Sequence, residues 1–320
     1  SWRGTTTGNE LRRSLDQRRT LAYLQYRAVD PASLDGNLVL SLSYHEQEES
    51  RLRIRNDGRM DDQGTNVGTL GAWGQMSIAS RSGIWTFGAE AYHDNVDSYR
   101  DDYNADGSFR RSAIQGPVAD DASYLTGGVF VQNQLTIGER TDFVTGIRFT
   151  QSRADANGVQ DPLTGSRIAI DDDWNDVTGS IRISRQMGSR DDTRFYAGVS
   201  QGFRAPNLSD LTRFDSARSN EIETPVSGLD AERFVTYEIG LKNTRANLDL
   251  QMSAYYTSID DLIIRTPTGR IIDGESEITK RNSAGGHVKG LEFQARYRVT
   301  DSWDLYGNLT WMDGQVDTFP

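Results

Sequence analysis

The 320-residue chain carries a formal net charge of -11, three histidines (His45, His93, His287) and no cysteine. This excludes disulfides, thiolate metal sites and cysteine nucleophiles, leaves too few imidazoles for a poly-histidine centre, and argues against a nucleic-acid binder. No run approaches the roughly 18 apolar residues of a transmembrane helix, yet the mean hydropathy of -0.63 does not exclude a membrane barrel, whose strands expose apolar side chains on one face only.

Helical periodicity is poor and period-two alternation is common, the pattern of strands with two unlike faces. Twelve strands are predicted, at 18–28, 36–46, 67–80, 83–95, 123–137, 141–153, 174–187, 193–204, 232–243, 246–260, 286–299 and 302–314. Most run 11–15 residues, longer than the usual five or six and suited to a tilted strand that crosses a bilayer. Alternation is clearest late in the chain. Leu248, Leu250, Met252, Ala254 and Tyr256 interleave with Asp249, Gln251, Ser253 and Tyr255, and Leu291, Phe293, Ala295, Tyr297 and Val299 with Glu292, Gln294, Arg296 and Arg298. In a soluble sandwich the apolar set faces a core; in a membrane barrel it faces lipid and the polar set faces the lumen.

The connections alternate in length. Tight turns at Ser80–Gly83, Gly138–Arg140, Gly188–Asp192, Asn243–Arg245 and Thr300–Asp301, with a slightly longer link at Val29–Asp35, separate long polar segments at 47–66, 96–122, 154–173, 205–231 and 261–285. Greek-key links do not give that alternation, whereas an outer-membrane barrel has short periplasmic turns and long external loops. Tyr23, Tyr26, Tyr44, Trp85, Phe87, Tyr92, Trp174, Phe195, Tyr196, Trp303 and Trp311 cluster near strand ends, as interfacial aromatic girdles do. The chain opens without a signal peptide and both ends read as cut. The 35 basic residues include only three lysines, Lys242, Lys280 and Lys289, a bias ascribed to codon composition.

Four motifs occur in order. Gln201–Leu211 reads QGFRAPNLSDL, Ala231–Asn243 AERFVTYEIGLKN, Ser253–Ile263 SAYYTSIDDLI, and Asn282–Gly314 contains NSAGGHVKGLEFQ; upstream, Gly128–Arg148 forms a Q…G-x-R hairpin. Together they resemble the barrel of TonB-dependent outer-membrane receptors, over residues 123–314. The aromatic-Arg-Ala-Pro box maps to Phe203, Arg204, Ala205 and Pro206, the Y-E pair to Tyr237 and Glu238, and the G-x-E pair to Gly290 and Glu292. The resemblance implies an all-β, membrane-spanning antiparallel β-barrel, present in part. About 12 of about 22 strands are visible, residues 1–320 belong to one barrel domain, and the plug, its TonB box and the terminal strands lie elsewhere.

The same resemblance implies a ligand-gated importer, not an enzyme, so no catalytic residue is assigned. The expected ligand is a small metal chelate such as a ferric siderophore, taken up with TonB-transmitted energy in the outer membrane of a Gram-negative-type bacterium. The expected surroundings are lipopolysaccharide, with no nucleic acid and a monomeric state. Corrinoid, saccharide and haem import and a passive porin are the alternatives. Haem is disfavoured because no histidine lies between Pro206 and Leu229 and Val226-Ser227-Gly228-Leu229 replaces the N-P-x-L box. Ligand contacts are sought in the loops at Arg51, Arg55, Tyr99, Tyr103, Arg110, Arg213, Phe214 and Arg218, since guanidinium forks hold carboxylate and catecholate oxygens. Arg204 either pairs with a plug or loop carboxylate or simply shapes the strand end. No cofactor or resident metal is expected, but Asp102, Asn104 and Asp106 begin a D-x-N-x-D-G calcium loop whose twelfth position is Ala113 rather than Glu.

Overall fold

The computed structural model describes residues 10–30, 36–188, 192–218 and 220–317. The first half holds β1 (Glu10–Val29), β2 (Gly36–Arg55), β3 (Met60–Ser80), β4 (Gly83–Tyr103), β5 (Phe109–Ser112), β6 (Asp120–Ile137), β7 (Thr141–Gln160) and β8 (Arg167–Met187). Then come β9 (Thr193–Arg204), the short helix α1 (Leu208–Thr212), β10 (Asp215–Arg218), β11 (Glu221–Glu223), β12 (Glu232–Thr244) and β13 (Leu248–Asp260). The last four are β14 (Ile263–Ile272), β15 (Glu275–Asn282), β16 (Gly285–Thr300) and β17 (Trp303–Asp317). Twelve of these form one sheet in the order β1-β2-β3-β4-β6-β7-β8-β9-β12-β13-β16-β17, with β5 pairing on β4. Every pairing in it is antiparallel. Among the described residues β1 and β17 are its two outer strands. A second sheet, ordered β10-β11-β15-β14, is built from the last two long connections.

Residues directly opposite in a ladder share a face, so the register assigns the two faces of the whole wall. One row runs Tyr26–Leu40–Gly74–Ala89–Val129–Phe149–Val177 across β1 to β8. Its counterpart runs Phe195–Leu241–Met252–Phe293–Leu309 across β9 to β17. Leu42, Val129, Ile147, Ile181, Ile239, Leu291 and Leu309 on these and adjacent rows are exposed. The neighbouring residues of the same strands are Ser41, Gln75, Glu90, Gln132, Ser180, Glu238, Gln251 and Gln294, a polar set on the other, inner face. A sheet with an apolar exposed face and a polar inner one is inverted relative to a soluble sandwich. On β17 the outward apolar side chains span Trp303 to Trp311, close to the roughly 9–11 residues that cross a bilayer. No helix among the described residues is long and apolar enough to cross a membrane.

All twelve predicted strands are present in order, but the long segments between them are not irregular loops. β2 runs on to Arg55 and β3 starts at Met60, so 47–66 is a continued ladder closed by a turn in which Gly58 has φ 83 and the Arg55 N–H donates to the Arg59 carbonyl at 2.9 Å. β7 and β8 extend in the same way towards a turn at 161–166. Strands of 20 residues reach about 66 Å at 3.3 Å each, far more than a bilayer requires. The extensions are rich in charged and small polar residues, which have low strand propensity, and that masked the strand signal even where alternation persists, as in Arg51-Leu52-Arg53-Ile54-Arg55. The parts of the predicted turns at 31–35 and 189–191 lie outside the described residues.

The girdle assignment divides by face. Tyr26, Tyr44, Trp85, Phe87, Phe195, Trp303 and Trp311 point outward with the apolar rows, whereas Tyr23, Tyr92, Trp174 and Tyr196 belong to the inner face. Trp174 is buried, its indole N–H donating to the Leu229 carbonyl at 2.7 Å. It belongs to the buried apolar core, which lies inside the long-connection end of the wall. There Val96, Ala122, Ala154, Ala156, Ile170 and Trp174 meet Leu208 and Leu211 of α1 and the following Leu229 and Ala231. Burying Leu211 alone contributes roughly 1.5–3 kcal/mol, so the 205–231 segment folds down onto the inner wall instead of reaching into solvent.

Lower on the inner face, rings lie flat over glycines. A Cβ on Gly240 would fall on the Tyr196 ring, and one on Gly290 would meet the Tyr255 hydroxyl. Tyr196 also donates its hydroxyl to Glu238 at 3.1 Å. Gly240→Ala is therefore expected to swing Tyr196 off the wall and break that bond, at a cost of about 1–3 kcal/mol. The urea midpoint of the folded barrel in lipid checks it; an unshifted midpoint would show that the ring has room to move.

Candidate ligand cleft at the external mouth

The end of the wall that carries the long connections is laced by charge. Arg204 is the last residue of β9, directly opposite Glu232 on β12. Its guanidinium donates to Glu232 and, at 2.8 Å, to Asp210. Pro206 has no N–H and ends the ladder there, and Asn207 caps α1 while the Asp210 carboxylate returns to the Asn207 N–H, a capping box. Arg204 thus does both things considered for it, shaping the turn and pairing with a loop carboxylate.

From Asp210 the chain of pairs continues. Lys280 of β15 lies 2.7 Å from Asp210 and 3.4 Å from Glu223, which also receives Arg265 at 2.5 Å and Arg213 at 3.5 Å. Arg213 lies 3.8 Å from Asp215, and Asp215 accepts both ends of the Arg51 fork at 2.9 Å. Arg53 donates to Asp61 at 2.8 Å and to Ser216 at 3.0 Å. One network therefore joins the β2–β3 hairpin, the 205–231 segment and the β14–β15 hairpin. Asp210 and Asp215 are desolvated by burial, which favours the neutral acid. The partner cations outweigh this, Lys280 and Arg204 at Asp210 and Arg51 at Asp215, and both carboxyls are held below the ordinary value. A depressed acid stabilises the fold above its unfolded pKa of about 3.9 and loses that contribution as pH falls through the folded value. Amide protection in β10 and β11, corrected for the intrinsic pH dependence of exchange, is accordingly expected to stay constant from pH 7 to 5 and to fall only below about pH 4. A loss of protection already at pH 6 would contradict it.

Above this network opens a polar cleft of 470 Å³. Its lining brings together the β2–β3 turn and the β4–β5 hairpin, with Arg55, Arg59, Arg100, Arg110 and Arg111, and the β7–β8 turn and the end of the second sheet, with Leu163, Phe214, Ile272, Asp273 and Glu275. Its arginines differ in how fully they are neutralised. Arg59 is held by Asp57 at 2.7 Å, and Arg100 and Arg111 share Asp102 at 3.0 and 2.9 Å. Burial works to raise the Asp102 pKa, but the two guanidiniums outweigh it and keep the carboxyl ionised below the usual range.

Of the residues proposed from sequence as ligand contacts, Arg55, Tyr103, Arg110 and Phe214 line this one cleft. Arg51 and Arg213 lie in the ion-pair network beneath it. Tyr99 points outward, its ring lying over Gly64, and the Arg218 side chain lies outside the described residues. Of the calcium-loop candidates, Asp102 sits between two arginines, whereas Asn104 and Asp106 meet at Ser108: the Asn104 amide donates to its hydroxyl at 2.9 Å, and Asp106 receives its N–H and hydroxyl. The acids that organise the mouth, Asp61, Asp210, Asp215, Glu223 and Glu232, were not singled out in the sequence. The one local signal was the capping-box spacing of Asn207 and Asp210.

A long antiparallel wall with apolar outward rows, a polar inner face and strand ends folded over that face is the wall of a transmembrane β-barrel. The family model for the TonB dependent receptor-like β-barrel matches residues 1–320, and the chain belongs to that family, which comprises receptors and transporters and not enzymes. Among curated relatives, the pesticin receptor of Yersinia pestis is 25% identical over 178 residues, covering 53% of this chain and 24% of that protein. Among solved structures, the copper transporter OprC matches with a TM-score of 0.78 at 17% identity over 94% of this chain and 49% of its own. The ferric yersiniabactin uptake receptor FyuA from Yersinia pestis matches with a TM-score of 0.64 at 17% identity over 94% and 43%. The chain therefore spans about half or less of these three proteins, and at these structural identities the likeness is one of fold.

Proposed function

We propose that this chain is barrel wall from an outer-membrane receptor that captures a scarce metal chelate, a ferric siderophore, at the cell surface and imports it with TonB-transmitted energy. The observation that carries the reading is the arginine-walled cleft, placed on the lumen side at the mouth where an incoming ligand arrives. FyuA takes up ferric yersiniabactin, a precedent for this ligand class on the same fold. A plug inside the barrel would receive the ligand from the cleft and relay the TonB pull. An open porin is disfavoured, since α1 and the second sheet cover the inner face at the mouth. OprC raises copper as a second reading. The cleft lining includes one thioether, Met60, and no imidazole, a poor donor set for a bare copper ion and a better one for an anionic complex.

The test is uptake of iron-55 chelates by iron-starved cells expressing the full-length protein, with and without TonB. Surface binding in both strains and accumulation only with TonB is the expected result. Accumulation that ignores TonB would establish a passive channel, and copper accumulation without iron uptake would establish the second reading.

A further inference from the structure

The wall is open along one internal seam, and the seam presents a strand edge. β8 is paired with β7 up to Arg167, but with β9 only between Met187 and Ser180. Above Ser180 no other strand among the described residues takes the place of β9. The amides next above the last pair are bonded by side chains instead. Gly179 N–H donates to the Gln201 side-chain oxygen at 2.9 Å and Val177 N–H to the Asp176 carboxylate at 2.7 Å. Both turn away from β7, and every second residue of an antiparallel strand does the same. Asp171, Asp173 and Asn175 continue that series in an unbroken register with β7, so their N–H and C=O groups face the seam. None of the three has a backbone partner there among the described residues. Their side chains point outward and are exposed. In the β7–β8 ladder the apolar outward row ends just below them, at Phe149 and Val177. The seam therefore opens above the bilayer, where water tolerates unpaired backbone groups that lipid does not.

We infer that this edge docks an extended segment of a partner protein outside the cell, one that alternates basic and apolar side chains and adds to β8 as a strand. Pairing with the backbone edge gives the affinity, and alternate side chains give the selectivity. Outward side chains of the added strand stand beside Asp171, Asp173 and Asp155, the last directly across the ladder from Asp171. Arg153, 2.8 Å from Asp171, is the one cation paired with any of these acids among the described residues. Basic outward residues complement that surplus. The same acids repel a second copy of β8, as charged edges do. Inward side chains meet the 225–231 segment, which passes behind the edge. It is tied to β8 by Gly228 N–H on the Asp172 carboxylate at 3.2 Å and by the Trp174 indole on the Leu229 carbonyl. Beside it Leu163, Ile168, Pro225 and Val226 line a hollow of 360 Å³, room for an apolar side chain.

The probe is a short synthetic peptide alternating lysine and valine, titrated by calorimetry into the full-length receptor in an uncharged detergent. Saturable binding that weakens with salt is expected. The same peptide with N-methylated backbone amides keeps its charge and loses its donors, and should bind at least about tenfold more weakly. Asp173→Pro, which removes an N–H that faces the seam and not β7, should weaken the parent peptide as much. So should Asp171→Lys with Asp173→Lys, which reverses the charge along the edge. Heat-modifiable gel mobility confirms the fold of each variant. No binding by the parent protein overturns the inference. Equal binding of the methylated peptide, or of the parent peptide by either variant, overturns it too, since the contact would then not be a strand added at β8. Slow amide exchange at Asp171, Asp173 and Asn175 in the free receptor would show another part of the full-length chain already paired there, with the same consequence.

Discussion

Glu223→Ala is expected to unfasten the layer that covers the mouth while leaving the barrel wall intact. Glu223 is 1% exposed and is the meeting point of Arg265, Arg213 and Lys280. Its removal strands these cations at least partly out of water with only Asp210 and Asp215 to share. Breaking a buried pair by deleting one partner costs roughly 3–5 kcal/mol, because the charge left behind is uncompensated. That exceeds what a small sheet with a three-residue central strand can supply from its own ladder. The 205–231 and 261–285 segments should then become protease-sensitive and lose amide protection in β11 and β15. Urea unfolding of the twelve-stranded wall should be unchanged, since its pairings lie below. Arg265→Ala makes the comparison: its side chain is 40% exposed, Glu223 keeps Lys280 and Arg213, and the cost should stay near 1 kcal/mol. Equal protection in the parent protein and Glu223→Ala would mean that the apolar core at Leu208 and Leu211 holds the layer by itself.

The difference between these segments and the wall explains what could be read from the sequence. Along β13 and β16, one face meets lipid and the other a polar interior, so each residue's surroundings alternate with period two and the alternation is written in Met252 against Gln251 or Phe293 against Glu292. In the upper part of β2 the alternation continues with the same sign, Arg51, Arg53 and Arg55 facing inward and Leu52 and Ile54 outward above the apolar rows, but the run is dense in charge and reads as loop. The mouth is less legible still. Glu232 lies directly across the ladder from Arg204 and a local reading could find it, but Asp215 meets Arg51 across 164 residues, and nothing in either segment specifies that encounter. The cleft residues were found only as a class: arginines in external segments. Which of them remain short of counter-charge depends on Asp57, Asp61 and Asp102, whose partners appear only once the hairpins are folded.

Two adjacent residues on β13 provide the sharpest test of the face assignment. Met252 lies outward between Leu241 and Phe293 in the middle of the apolar rows, and Gln251 lies inward between Lys242 and Gln294. The same substitution should give opposite results at the two. Met252→Arg puts a guanidinium into hydrocarbon near the bilayer midplane, where cationic substitutions in barrels cost about 2–4 kcal/mol. Gln251→Arg exchanges one polar side chain for another on a wetted face and should stay within about 0.5 kcal/mol, slightly unfavourable for its proximity to Lys242. A soluble sandwich would give the same reversal for arginine, since Met252 would then lie in a core, so alanine makes the distinction: in such a core Met252→Ala would be costly as well. In lipid, Met252→Ala should be mild, since the residue exchanges hydrocarbon contacts with the protein for hydrocarbon contacts with the bilayer. Urea unfolding of the three full-length variants in lipid vesicles gives the comparison directly. If Met252→Arg is tolerated while Gln251→Arg is not, the register places the wrong face towards lipid, and the inward cleft would then open on the outside of the wall.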